Sequence, residues 1–335
     1  MKCNSNTPEG TRDRLFAECQ ERRQVQGKLT RLFRQRGFLE VSTPETEFYD
    51  LFARSGSAIP QERMIKVGDP GGKFCVMRPD STTPIARVAA TKLKAVPLPQ
   101  RLYYDQTVYR ANPAHNAAID ALRCCGAPKF HVELGHAGYF RELAGRLALG
   151  EDAVEELRAL IEGKNFAALK DFLAPWRGDP ACAALERLSR LFGGAEVLGQ
   201  AERLAGKTPA VDYLARLYDE LSAAGYGPYV RFDLGMVHQI DYYTGVVFRG
   251  YVEGAGDAVL SGGRYDNLVG LFGREAQATG FAVDVDAVAR TLPELAPPVL
   301  RTLVHYEPGY LAPALEAVDG RPAVNSPPVP RWRTV

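Results

Sequence analysis

Strand-like segments occupy both ends of this 335-residue chain, and the stretch between them reads as helix. Residues 138–224 are rich in Ala, Leu, Glu and Arg, with Leu143, Leu147, Val154, Leu157 and Leu160 at helical spacing. Gly163, Pro175, Pro180 and Gly193-Gly194 cut that stretch into several helices. Few strand–helix–strand alternations are present. The pattern therefore predicts an α+β fold on an antiparallel sheet flanked by helices, not a doubly wound parallel one.

Before the helical stretch, Arg14 to Arg36 carries apolar residues at Val25, Leu29, Leu32 and Phe33, a helix that Gly37 ends. Phe38–Val41 reads as a short strand stopped by Pro44. Met64–Val67 and Phe74–Met77 flank a Gly/Pro loop and predict a hairpin. A helix opens at Thr82-Thr-Pro84 and runs to about Lys94. Arg101–Arg110 alternates and is aromatic and β-branched, so a strand is expected there, and another at Lys129–Leu134. Strands return at Tyr229–Leu234, Gly245–Tyr251, Ala258–Leu260 and Ala278–Asp284. Beyond Pro293 the sequence predicts a strand-like run, a short helix and a Pro-rich disordered tail.

Composition excludes several classes. Apolar residues make up 46% and charged residues 24%, the mix of a globular chain, and the net charge is +1. That is not the footprint of a protein whose main partner is nucleic acid. Six cysteines show no CxxC and no metal spacing with histidine, so reduced thiols are expected, including the adjacent Cys124 and Cys125. The N-terminus lacks an apolar signal region, and no run approaches the ~20 apolar residues of a membrane span. A cytoplasmic protein with neither metal nor cofactor is expected.

Four constellations could carry binding chemistry. Arg110 ends a strand face shared with Leu102, Tyr104, Gln106 and Val108, where an arginine can clamp a carboxylate; a solvated strand-end arginine is the plainer reading. Asp80 and Thr82 stand at a helix start and could hold an ammonium group, although an ordinary cap explains them as well. Asp241-Tyr242-Tyr243-Thr244-Gly245 lies between two strands, and a tyrosine hydroxyl suits an imidazole because it donates and accepts. Ser261-Gly262-Gly263-Arg264-Tyr265-Asp266 is Gly-rich without being a phosphate loop, which suggests a close backbone approach or a plain tight turn. His131 and His136 are read as structural.

The order of these pieces is more telling than any one of them. Pro8–Asp13, Gly37–Val41 with Pro44, Arg78–Thr83, Tyr109-Arg110, Asp241–Gly245, Gly262–Asp266 and Gly280–Ala282 follow the order of a histidyl-tRNA synthetase core. The resemblance covers about residues 5–290. The run Tyr104–His115 and Glu133–Gly138 most resemble the synthetase paralogues that serve as regulatory subunits of ATP phosphoribosyltransferase. That resemblance implies a class II aminoacyl-tRNA synthetase-like core in two parts, 5–137 and 226–292, around a helical insertion at 138–225, with a short segment at 293–335 and no anticodon-binding domain. It further implies a six-stranded antiparallel sheet, a homodimer, and assembly with a short-form catalytic subunit into a hetero-octamer. L-histidine is the implied effector. Its site would draw on Asp80, Thr82, Arg110, Tyr242, Tyr243, Arg264 and Tyr265.

Departures from a working synthetase sharpen this reading. His238 stands where the synthetase resemblance implies a catalytic arginine, and Ala287 where a second arginine would brace ATP. A part-time cation and a methyl group do not replace two fixed guanidinium groups against triphosphate and carboxylate. After His115 the strand that would supply a Gln and a Glu to histidine is not legible. Losing such a carboxylate costs ~2–3 kcal/mol of ligand affinity. A non-catalytic regulatory subunit is thus expected, which binds no tRNA. The alternatives are a pure assembly scaffold with an eroded pocket and a truncated adenylate-forming synthetase.

Overall fold

The computed structural model describes residues 7, 11–53, 61, 64–69, 71–109, 119–127, 129–237 and 243–292. Helix α1 (Ala17–Gln35) buries Val25 and Leu29 and ends before Gly37, whose φ of 75° is the left-handed turn that glycine adopts without strain. Next come β1 (Leu39–Glu40), β2 (Thr46–Phe48), α2 (Tyr49–Ala53), β3 (Lys66–Gly68) and β4 (Phe74–Met77). The expected hairpin forms with Val67 opposite Cys75, and β2 lines the other edge of β4. Phe52, Met64 and Val76 make a small core under this three-stranded sheet.

Helix α3 (Thr82–Ala90) starts where Thr82 and Pro84 predicted it. The strand expected over 101–110 is only two described residues long, β5 (Leu102–Tyr103). Its partner β1 offers just Leu39 and Glu40 in a parallel pair, so the strand ladder stops at Tyr103, and the following residues are held by single contacts such as the Tyr109 N–H on the Arg78 carbonyl. Helix α4 (Ile119–Cys125), which sequence reading passed over, buries Ala121, Leu122 and Cys125.

After β6 (Phe130–His136) the chain enters its helical run: α5 (Ala137–Arg146), α6 (Glu151–Glu162), α7 (Phe166–Phe172), α8 (Pro180–Arg187), α9 (Glu196–Ala205) and α10 (Pro209–Ala223). Between α8 and α9 lies β7 (Phe192–Gly193). Local chemistry sets the starts. Asn165, Asp179 and Thr208 each accept a backbone N–H in the first turn of α7, α8 and α10, and Pro180 and Pro209 follow two of these caps. Leu143, Leu157, Leu185, Leu188 and Leu214 are fully buried, so the apolar spacing marks the inner faces.

The chain then adds β8 (Val230–Asp233), β9 (Val246–Val252), β10 (Leu260–Arg264), β11 (Thr279–Val283) and α11 (Val285–Thr291). The central sheet has the order β11-β10-β9-β6-β8-β7. Among the described residues it has six strands, the number the resemblance implied, but it is not wholly antiparallel: β6 and β8 run parallel, with Val132 beside Val230 and Leu134 beside Phe232. A parallel neighbour requires a long crossover, and the helical run supplies it. Of the two readings of the glycine-rich segment, close backbone approach holds and the tight turn does not, since Ser261–Arg264 lies within β10.

One face of this sheet carries Val132, Leu134, Val230 and Phe232 into the main core. The opposite face shows a row in register across four strands: Gly135, Val247, Gly263 and Gly280. Three of those four positions lack a side chain, and this is where other groups settle.

Candidate functional site

Two tyrosines occupy the space that the glycine row leaves. A Cβ on Gly263 would lie 2.8 Å from Tyr243 Cδ1 and Cε1 and 2.7 Å from the Val246 carbonyl oxygen. A Cβ on Gly280 would lie 2.7 Å from the Tyr265 hydroxyl. Glycine is needed inside these strands because backbone and ring approach closely. The rings sit 6.4 Å apart at 50°, and Met236, Val247 and Ala137 pack around them. Burial, with Tyr104, Tyr243 and Asp80 close by, pushes the Tyr265 phenol well above its ordinary pKa. It stays protonated at neutral pH and keeps its capacity to donate.

Asp80 performs the plainer of its two expected roles. Its Oδ1 accepts the Thr82 N–H at 3.0 Å, and its Oδ2 accepts both the N–H and the hydroxyl of Thr83 at 3.1 Å. The carboxylate thus caps α3 while lying close enough to Tyr265 to perturb its phenol. Thr82 is half-buried in the first turn beside it. The structure therefore brings Asp80, Thr82, Tyr243 and Tyr265 to one end of the sheet.

Arg264 is held by Asp266 and Tyr213. Its Nε lies 3.0 and 2.9 Å from the two carboxylate oxygens of Asp266, which hold its pKa above the ordinary value. Its carbonyl accepts the Thr244 N–H at 2.8 Å, and the Thr244 hydroxyl accepts the Asp266 N–H at 3.1 Å. Arg110, His115, His238, Asp241 and Tyr242 lie outside the described residues. Ala287 is buried in the first turn of α11, where its N–H donates to Asp284 Oδ1 at 2.9 Å.

Arg141 and Arg274 carried no sequence signal, and Arg78 carried one only as the start of the Arg78–Thr83 segment. Arg78 is 2% exposed and donates to the carbonyls of Thr43, Pro44 and Thr107 at 2.8, 2.5 and 2.8 Å. It fixes the approach to Asp80 from two other chain segments. Arg274 donates to the carbonyls of Ala89, Leu93 and Val96, each at 2.9 Å, and so holds the far end of α3. Arg141 of α5 donates through Nη2 to the Tyr243 carbonyl at 2.7 Å.

His136 ends β6 and caps α5: its Nδ1 accepts the Gly138 N–H at 3.0 Å. Burial first, then Arg141 and Arg264, pushes its pKa down to about 4. The fold favours the neutral ring, so the unfolded chain takes the proton first as pH falls. The stabilisation is present above about pH 6.5, the ordinary histidine value, and is lost towards pH 4. Allowing for partial exposure, the loss is on the order of 2 kcal/mol. His136→Asn keeps a cap without this titration. Urea denaturation at pH 7 and pH 4.5 is expected to show wild type losing that much more than the variant; parallel losses would refute it.

Comparison with known proteins places this arrangement. A family model described as histidyl-tRNA synthetase matches residues 10–119 and 115–288. The chain is 39% identical over 318 residues to the ATP phosphoribosyltransferase regulatory subunit of Clostridium kluyveri, covering 85% of this chain and 81% of that protein. It is 37% identical over 344 residues to the protein of the same name from Bacillus cereus, covering 92% and 81%. A crystal structure of an ATP phosphoribosyltransferase regulatory subunit/histidyl-tRNA synthetase from Bacillus halodurans superposes with a TM-score of 0.78 at 32% identity, over 87% of this chain and 84% of that one. Histidyl-tRNA synthetase from Nostoc, at 17% identity and a TM-score of 0.73, shares the fold. Sheet, tyrosine pair and these likenesses define a class II synthetase-like protein of the histidyl type. Within that class, the chain belongs to the family of ATP phosphoribosyltransferase regulatory subunits. Among the described residues, no helix is long and apolar enough to cross a membrane.

Proposed function

We propose that the chain is the non-catalytic regulatory subunit of an ATP phosphoribosyltransferase and serves the first step of L-histidine biosynthesis. The reaction, in which ATP is joined to phosphoribosyl pyrophosphate, resides in a short-form catalytic partner. A homodimer of this chain is the core of a hetero-octamer in the cytoplasm. The observation that carries the reading is the sustained identity to regulatory subunits over most of the chain. Buried Ala287, where a synthetase would brace ATP with an arginine, supports it.

L-histidine is the effector. Tyr243 meets the imidazole, Asp80 and Thr82 the amino group, and Arg110 the carboxylate, with Tyr242, Arg264 and Tyr265 around them. Histidine inhibits by binding the inhibited state of the assembly more tightly. A second reading, a scaffold without an effector, draws on Asp80, whose oxygens already cap α3.

The test is to mix this chain with a short-form catalytic subunit and measure activity and particle size with and without histidine. Activity is expected only in the mixture, lowered by histidine; activity indifferent to histidine selects the scaffold. ATP–pyrophosphate exchange driven by histidine would overturn both readings.

A further inference from the structure

We propose that Arg141 is the positioning residue of the tyrosine pocket: it seats the Tyr243 ring over Gly263 and so sets the pocket's affinity for a small amino acid with an aromatic or imidazole side chain. The second half of this statement rests on the pocket reading above. Arg141 stands on α5, 102 positions from Tyr243 in the chain, yet its Nη2 reaches the Tyr243 carbonyl at 2.7 Å. A charged donor on a carbonyl is among the stronger hydrogen bonds. The residues after Tyr243 are tied down separately: the Gly245 carbonyl accepts the Ala137 N–H at 2.9 Å, and Thr244 is bound to Arg264. Gly245 and Thr244 therefore fix the exit of this segment, and Arg141 fixes Tyr243 itself.

Cutting that tether gives the ring a little room to shift. A cavity of about 20 Å³ lies beside Tyr243, lined by Phe140, Arg141, Met236 and Val247 among others. Gly263 offers no Cβ to hold the ring from below. Contact between Tyr243 and its ligand thus depends on a backbone held from α5. The effect of the guanidinium at this junction is also felt by His136, whose pKa Arg141 helps to depress.

The test compares wild type, Arg141→Met, which keeps an apolar stem without donors, and Arg141→Lys, which keeps one charged group. Full-length proteins labelled with 3-fluorotyrosine report each ring by fluorine NMR, with Tyr243→Phe assigning the resonance. Calorimetry measures L-histidine binding. In Arg141→Met the Tyr243 resonance is expected to shift and broaden while that of Tyr139 stays, and histidine affinity to fall about tenfold. The melting temperature is expected to stay within about 3 °C of wild type, and Arg141→Lys to recover part of the affinity. A Tyr243 resonance that does not move, or a moved ring with unchanged affinity, overturns the proposal. Should wild type take up no histidine, the pocket reading fails, and the resonance alone decides whether Arg141 seats the ring.

Discussion

Gly263→Val is expected to weaken histidine binding by about a hundredfold or more, roughly 2.7 kcal/mol, in calorimetric titration. The reason is spatial. A Cβ at 263 meets the Tyr243 ring at 2.8 Å and the Val246 carbonyl at 2.7 Å. The ring can relieve only the first of these contacts; the second is with strand backbone, so β9 and β10 must also shift against each other. Valine suits a strand by propensity, but the forced backbone shift adds an overpacking cost of about 1–3 kcal/mol, which thermal denaturation reads alongside binding. Gly256→Ala is the control, because nothing lies within 4 Å of a Cβ there. It is expected to be neutral in both binding and thermal denaturation. Unchanged affinity in Gly263→Val would show that Tyr243 is not the ligand's contact.

Arg78→Met is expected to cost about 3–5 kcal/mol in urea denaturation, a large part of the roughly 5–15 kcal/mol that holds a typical fold. The Arg78 guanidinium is buried, and its two Nη groups donate to three backbone carbonyls from two segments. Methionine fills the stem's volume but leaves those carbonyls without this donor, and each such loss costs about 1–3 kcal/mol. Arg78 is also held through its own backbone, its N–H donating to the Glu45 carbonyl at 2.7 Å and its carbonyl accepting the Tyr109 N–H at 2.8 Å. Asp80 follows two residues later, so histidine binding should fall together with stability. A loss below about 1 kcal/mol would mean that water satisfies the carbonyls.

What sequence could disclose follows from what is local. The helix through Val25, Leu29 and Phe33 was legible because its spacing is its own property, and so was the hairpin around residues 68–72. The alternation after Tyr103 misled because pairing belongs to the neighbour, and β1 ends at Glu40. Gly262-Gly263 allowed a close backbone approach or a tight turn, and the close approach is what forms. The requirement for glycine at 262 comes from the Gly280 carbonyl and Phe248, at 263 from Tyr243 and the Val246 carbonyl, and at 280 from Tyr265, which only register reveals. Asp80, Thr82, Tyr243 and Tyr265 were picked from motifs and do come together, but the cap geometry of Asp80 was the reading least distinctive of function. Arg141 was not legible as part of the site, since its role arises from a contact with Tyr243, 102 residues away; His136, read as structural, caps α5 through the nearby Gly138 N–H.

The parallel pairing of β6 with β8 has a consequence for how the chain is made. About ninety residues separate the end of β6 from the start of β8, and long-range pairing of this kind is slow. During synthesis β6 leaves the ribosome with neither of its two sheet neighbours yet translated, since β9 comes later still. Nascent chains should therefore pass through a period with Val132 and Leu134 uncovered and a bare strand edge, when a holding chaperone matters most.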